Sequence, residues 1–111
     1  MKDLINYDDF GKLEIRAGVV VEADAPEWSE KLIRYKIDFG EEIGKKTLFS
    51  GIRSFYSPEE LVGKKVPVIL NMTPKKMGQE FSEGMVLMVD GAEKPVMIFL
   101  PEFVEPGAVI R

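Results

Sequence analysis

Apolar and polar residues alternate with a period of two along most of the chain, which is the pattern of β-strands. The first predicted strand begins at Leu13, and its core face is expected to hold Leu13, Ile15, Ala17, Val19 and Val21. Four more segments alternate in the same way: about Lys31 to Phe39, Lys46 to Ser50, Lys65 to Met72 and Met85 to Val89. Gly18 predicts a bend or bulge within the first strand, and Pro67 predicts an edge position or a strand start in the fourth.

One short helix is predicted between the third and the fourth strand. Ser57 stands at the N-cap, Pro58 at the first helical position and Glu60 at the third, and Gly63 supplies a C-terminal stop. Five strands with a helix in this place have the order of an OB-fold, a five-stranded Greek-key barrel that serves many oligonucleotide binders. Another small barrel or a sandwich is the alternative that the pattern leaves open.

The segment from Pro95 to Pro101 is apolar on both strand faces, unlike a half-exposed strand. Burial within one monomer is one explanation. We favour a homodimer, which is the common two-fold arrangement, with residues 95–111 as a dimerisation extension. The predicted interface residues are Val96, Met97, Ile98, Phe99 and Leu100.

The length of 111 residues predicts a single domain over residues 1–111. The chain has no Cys and no His, which excludes zinc fingers, thiol nucleophiles and His-based triads. No phosphate loop or Ser-Lys motif stands out, so we expect no enzyme activity, no metal and no cofactor. The N-terminus lacks the apolar core of a signal peptide and no run is long enough to span a membrane, so a cytoplasmic protein without a membrane partner is expected.

The net charge of −4 argues at first against a nucleic-acid ligand. The charge is unevenly distributed, however: residues 41–79 carry 7 positive and 4 negative side chains, a net of +3. A local basic surface therefore remains compatible with the acidic total. Lys75 and Lys76 stand out because they lie in the long loop predicted before the fifth strand, which frames the ligand face of an OB-fold.

Six stretches at matching spacing carry a resemblance to a known family: Asp8 to Gly18, Ser29 to Leu32, Ser50 to Ile52, Tyr56 to Lys64, Asn71 to Met77 and Ser82 to Met85. Together they resemble the tRNA-binding domain family, which includes stand-alone tRNA-binding proteins, C-terminal domains of methionyl-tRNA synthetases and CsaA-like proteins. The resemblance implies an OB-fold, a homodimer in stand-alone members, no catalysis, and recognition of tRNA by shape and backbone.

The resemblance also implies an RNA face made of Lys31, Arg53, Lys75, Lys76, Ser82 and Met85. The basic side chains would contact phosphates, and Ser82 would bond to backbone or sugar. The alternatives are a turn-capping role for Ser82 and a core position for Met85. Many members carry a basic residue after the Lys-Met pair, whereas this chain has Gly78 there and Glu80 shortly after, which predicts weaker binding of RNA.

Three functions follow as hypotheses. The first is a structure-specific tRNA-binding protein, free-standing or accessory to an aminoacyl-tRNA synthetase. The second is a CsaA-like chaperone for unfolded or exported polypeptides, because the stretch from Lys36 to Lys46 resembles that branch and several aromatic residues (Trp28, Phe55, Phe81 and Phe103) are candidates for exposure. The third is an interaction module that tethers another protein.

Overall fold

The computed structural model describes all residues from 1 to 111. Its elements in chain order are α1 (Tyr7–Phe10), β1 (Ile15–Asp24), β2 (Ile33–Asp38), β3 (Lys45–Ser50), α2 (Pro58–Leu61), β4 (Lys65–Ile69), β5 (Lys75–Met77), β6 (Glu80–Ser82), β7 (Met85–Val86), β8 (Met88–Asp90) and β9 (Pro95–Met97). The strands form one five-stranded sheet in the order β3-β2-β1-β4-β7 and two small hairpins, β5-β6 and β8-β9.

The five-stranded sheet is antiparallel throughout and curls into a nearly closed barrel. Its two edge strands are β3 and β7, and β3 meets the chain just before β7, at Glu83. The Glu83 amide donates to the Thr47 carbonyl at 2.9 Å, and the Thr47 amide donates to the Glu83 carboxylate at 3.0 Å. The predicted all-β barrel is thereby confirmed. The hydrophobic core inside it consists of Val20, Ile33, Tyr35, Ile37, Phe39, Leu48, Ile52, Leu61, Val66, Val68, Val86 and Met97.

The core face predicted for β1 is wrong. Ile15 and Ala17 are buried, but they pair with Ile69 and Pro67 on the face away from the core cluster. Leu13 precedes β1 and is 45% exposed. Val20 is buried in the barrel core, whereas Val19 and Val21 are only half-buried. The predicted irregularity is present, but the pairing of β1 with β2 shifts between Val20 and Glu22 rather than at Gly18. Gly18 has another role, because a Cβ there would lie 2.5 Å from Ile37 Cγ2.

Pro67 lies inside the sheet rather than at its edge, since β4 pairs with both β1 and β7. The Pro67 carbonyl accepts from the Leu87 amide at 3.0 Å, on the side where β7 pairs only with Val68 and Ile69. The missing N–H of proline therefore removes no bond of the β1-β4 ladder.

Three local predictions need correction. A second helix, α1, is present because Asn6 and Asp9 form a capping box. The predicted long loop contains the β5-β6 hairpin. The predicted fifth strand is split, so that β7 pairs with β4 and β8 pairs with β9.

The C-terminal segment is bonded along the barrel of its own chain. The Leu100 amide donates to the Lys65 carbonyl at 2.8 Å, and the Gly107 amide donates to the Ala17 carbonyl at 2.7 Å. Met97, one of the predicted interface residues, is buried in the core, and Ile98 and Leu100 are half-buried. Of the five, only Val96 and Phe99 are exposed. Neither helix is long and apolar enough to span a membrane.

Candidate nucleic-acid interface

Two connecting segments meet at one end of the barrel: the hairpin (residues 75–82) and the loop (residues 25–32). Gly78 at the tip of the hairpin lies directly against the ring of Trp28 in the loop, where an added Cβ would be 2.9 Å from the indole. The Trp28 ring in turn stacks at a tilt on Phe49 of β3, with the ring centroids 5.8 Å apart. The half-exposed indole therefore joins the hairpin, the loop and the barrel.

The hairpin presents its two lysines to opposite sides. Lys75 pairs with Ser82, and Lys76 pairs with Phe81, across a turn that Gly78 makes with φ +62°. Directly opposed residues share a face and neighbouring pairs alternate, so Lys75 lies on the face of the buried Ser82 and Lys76 on the face of the exposed Phe81. Both lysines are solvent-exposed and neither makes an ion pair.

Lys31 and Arg53 lie next to each other at the base of the loop. The Arg53 amide donates to the Lys31 carbonyl at 3.1 Å. The Arg53 guanidinium donates to the carbonyls of Ser29 and Pro26 and so holds the loop in place. Part of the Arg53 guanidinium is hydrogen-bonded to backbone carbonyls, whereas the Lys31 ammonium is exposed and makes no ion pair. The structure thus brings Lys31, Arg53 and the hairpin lysines to one end of the barrel, connected through Trp28.

Ser82 lies in a different environment from that expected of a contact residue, whereas Met85 is exposed as a contact residue would be. The buried Ser82 hydroxyl accepts from the Phe49 amide at 3.0 Å and donates to the Gly84 carbonyl at 3.2 Å. This hydroxyl is committed to fixing the hairpin on β3, which is close to the turn-capping alternative. Met85 pairs with Ile69 in β7 and is 43% exposed, so it is not a core residue.

Sequence reasoning did not identify Arg34, which connects three strands at this end of the barrel. Its guanidinium donates from Nε to Asp24 Oδ1 at 2.9 Å and from Nη2 to Asp24 Oδ2 at 2.6 Å. The third contact runs from Nη1 to Glu80 Oε2 of the hairpin at 2.5 Å. The hydrogen bonds from Arg34 hold the pKa of Asp24 below its usual value, and those to Asp24 raise the pKa of Arg34. Only the cross-strand register places these groups together.

A shallow groove of about 290 Å³ lies beside this cluster, lined by Glu22, Ala23, Asp24, Arg34, Tyr35, Lys36 and Thr47. Its charged side chains are largely matched, because Lys36 pairs with Glu22 at 3.6 Å and Arg34 with its two carboxylates. The positive charge of this end that no carboxylate pairs therefore comes from Lys31, Arg53, Lys75 and Lys76. Such a surface of separate point charges suits phosphate groups.

Comparison with known proteins shows which family the chain belongs to. The family model described as a putative tRNA binding domain matches residues 15–109, which is nearly the whole barrel. The chain belongs to this tRNA-binding domain family. The resemblance inferred from the six sequence stretches is confirmed, and the family is a binding domain rather than a catalytic one.

Relatives of this tRNA-binding domain include parts of much longer proteins. It is 40% identical to a methionine–tRNA ligase of Methanococcoides burtonii over 99% of this chain, and 40% identical to that of Parabacteroides distasonis over 100% of it. The chain spans only about 16% of the length of these curated relatives.

Solved structures of similar length share the whole fold of this tRNA-binding domain. A MetRS-related protein from Pyrococcus horikoshii superposes with a TM-score of 0.92 at 33% identity, covering 99% of this chain and 100% of that one. The chaperone CsaA from Bacillus anthracis superposes with a TM-score of 0.87 at 32% identity, covering 98% and 100%. Both branches named by the sequence resemblance are thus similar in structure to this chain.

Proposed function

We propose that this domain binds folded tRNA through phosphate contacts of Lys31, Lys75 and Lys76, and that it acts by binding alone, without catalysis. The observation that carries the proposal is the placement of three exposed, unpaired lysines on two segments held together by the contact of Trp28 with Gly78. Folded RNA offers phosphates and 2′-hydroxyls more readily than base edges, so such a surface favours shape over sequence.

The fixed position of the hairpin supports this function. The Ser82 hydroxyl bonds the hairpin to β3, and Glu80 bonds it to Arg34 of β2. Lys75 and Lys76 are therefore carried on a supported element, so less conformational entropy is lost when they meet phosphates. Arg53 contributes by holding the loop that carries Lys31, and its remaining donors are available to the RNA.

The experiment is a titration of total tRNA by fluorescence anisotropy over a series of salt concentrations. The affinity falls as salt rises, and each phosphate contact makes the slope of log K against log salt steeper by about 0.7–0.9. We expect the double variant Lys75→Ala/Lys76→Ala to bind more weakly and to have a slope that is shallower by roughly 1.5. A double variant with the same charge change elsewhere, Lys2→Ala/Lys94→Ala, is the control. Absence of binding by the wild type at low salt contradicts the proposal.

We also propose a homodimer through the outer face of β8-β9 and the segment that follows. Val96 and Val89 are directly opposed in the β8-β9 ladder and are 39% and 52% exposed, and Phe99 is 45% exposed. A second copy would cover these side chains. Light scattering at micromolar concentration tests it: Val96→Glu and Phe99→Glu are expected to yield monomers, and Phe81→Glu on the β5-β6 hairpin, a comparably exposed apolar side chain, is expected to stay dimeric. A monomeric wild type would refute it.

We also propose a methionyl-tRNA synthetase as a protein partner of this domain, since the curated relatives are methionine–tRNA ligases that contain a similar domain as one part of their chain. Co-purification of the two proteins from a defined mixture, and a lower KM for tRNA when the domain is added, are the expected results. Equal KM values with and without the domain would argue against it.

One observation favours a second candidate, a peptide-binding chaperone. The open pocket beside the hairpin is lined by Thr47, Pro74, Glu80, Phe81 and Glu83, and it offers the exposed Phe81 ring to an apolar peptide. The similarity to CsaA supports it. Suppression of aggregation of an unfolded client, unaffected by added tRNA and lost in Phe81→Ser, would favour this candidate over RNA binding.

A further inference from the structure

Arg34 pairs with two carboxylates, although one would neutralise the single positive charge of its guanidinium. Asp24 already occupies two donors in a side-on, bidentate pair, at 2.9 and 2.6 Å. Glu80 adds a second negative charge through Nη1 alone, at 2.5 Å. The trio of one cation and two carboxylates therefore carries a net charge of −1, at the end of the barrel where the free lysines would receive RNA.

Of the two carboxylates, Glu80 is the one that an external anion can replace. Asp24 belongs to β1 and is directly paired with Arg34 in the ladder, so the backbone itself keeps this pair together. Glu80 belongs to the three-residue strand β6, and its contact with Arg34 is single rather than bidentate. The side chains of Glu80 and Arg34 are 38% and 31% exposed, so solvent and solutes reach their contact.

We propose that Glu80 is an internal competitor that withholds Arg34 from RNA phosphate, and that Arg34 becomes a phosphate-binding residue when the charge of Glu80 is removed or displaced. Asp24 fixes the guanidinium with Nη1 directed at the hairpin, and a phosphodiester oxygen is the chemical equivalent of the Glu80 oxygen that fills this place. Arginine forms such charge-assisted bonds to carboxylates and phosphates alike. The proposal rests on the proposed RNA-binding function and explains how the domain lowers its own affinity.

The contact also has a second consequence, because Glu80 holds the hairpin to β2. The hairpin keeps two other attachments, the Ser82 bond to Phe49 and the contact of Gly78 with Trp28. Exchange of Glu80 for an external phosphate therefore leaves the hairpin in place. The exchange alters which anion neutralises Arg34, with little change of shape.

The test is a double-mutant cycle of tRNA affinity with Glu80→Gln, Arg34→Gln and the double variant. Glutamine keeps an acceptor for Arg34 but removes the charge. We expect Glu80→Gln to bind tRNA about 2- to 5-fold more tightly, which is the size of one exposed ion pair, with a salt slope steeper by about 0.8. Arg34→Gln should change the wild-type affinity by less than about twofold and should abolish the gain in the double variant.

The control Glu41→Gln carries the same change in net charge on the turn after β2, where the glutamate is exposed and makes no ion pair. Its affinity for tRNA should equal that of the wild type. The proposal would be overturned if Glu80→Gln raised the affinity equally in the wild type and in the Arg34→Gln background. Glu80 would then act only as a local negative charge.

A second readout separates this inference from the proposed function. The Arg34 Nε–H resonance is followed by NMR while inorganic pyrophosphate is added at millimolar concentration. We expect the resonance to stay in the wild type and to move in Glu80→Gln, whether or not tRNA binds. An unmoved resonance in Glu80→Gln refutes the competition, whereas a moved resonance in a protein that fails to bind tRNA refutes only the proposed function.

Discussion

Replacing Gly78 by alanine tests whether the contact between the hairpin and Trp28 organises the interface. Gly78 has φ +62°, and an added Cβ would lie 2.9 Å from the indole ring, so the ring or the hairpin must shift. Gly63 is the matched control, because it has φ +88° and an added Cβ there meets nothing within 4 Å. Both variants bear the left-handed penalty of an L-residue, roughly 1–2 kcal/mol.

Only Gly78→Ala should also weaken the stacking of Trp28 on Phe49, which is worth about 0.5–1.5 kcal/mol. We therefore expect unfolding free energies, measured by urea denaturation with circular dichroism, to fall by about 1 kcal/mol more in Gly78→Ala than in Gly63→Ala. Trp28 is the single tryptophan, so its native emission should shift to the red only in Gly78→Ala. Binding of tRNA should weaken in the same variant.

Equal destabilisation of the two variants, with unchanged tryptophan emission, would refute the reasoning. It would mean that the hairpin tip and the indole accommodate a methyl group without loss, and that Lys75 and Lys76 are not positioned by this contact. A weaker tRNA affinity in Gly63→Ala of the same size would also contradict it, since that glycine is outside the interface.

The remaining predictions concern buried groups. Ser82→Ala should lower the unfolding free energy by about 1–3 kcal/mol, because the Phe49 amide loses its acceptor, and it should leave the salt slope of tRNA binding unchanged. Gly18→Ala should cost roughly 1–3 kcal/mol in urea denaturation, since its Cβ would overlap Ile37, and a cost near zero would contradict the close approach. Burial raises the pKa of Tyr35 to about 12, so its contribution to stability is complete below the ordinary value of 10.0 and is lost as the pH rises towards 12. Tyr35→Phe should therefore flatten the fall of stability between pH 10 and 12, measured by chemical denaturation at each pH, and an unchanged fall would exclude this tyrosine as its source.

The alternation of apolar residues predicted the barrel because side-chain burial in a strand is a local property. The inward positions Ile33, Tyr35, Ile37 and Phe39 can be read directly from the sequence and are all buried. The start of helix α2 could also be predicted from neighbouring residues alone, since Ser57 at the N-cap and Pro58 at the first helical position mark it. The family resemblance implied tRNA as the ligand and drew attention to Lys75 and Lys76, which are exposed.

Other features depend on pairings that the local pattern does not encode. The face of β1 that fills the core changes at the register shift between Val20 and Glu22, so that Val20 before the shift and Ala23 after it both face the core. The split of the predicted fifth strand follows from two different partners, β4 and β9. Met97 appeared in sequence as a surface residue of a dimer, but its own chain buries it.

The sequence by itself thus determined the strands, the barrel class and the family, because periodic burial and family motifs are written along the chain. The tertiary structure alone decided the chemistry of the proposed RNA interface. It buried the Ser82 hydroxyl, placed Gly78 against Trp28, and joined Arg34 to Asp24 and Glu80. Glu80 is 46 residues from Arg34 in sequence, and only folding of the hairpin onto β2 lets its charge act on that guanidinium.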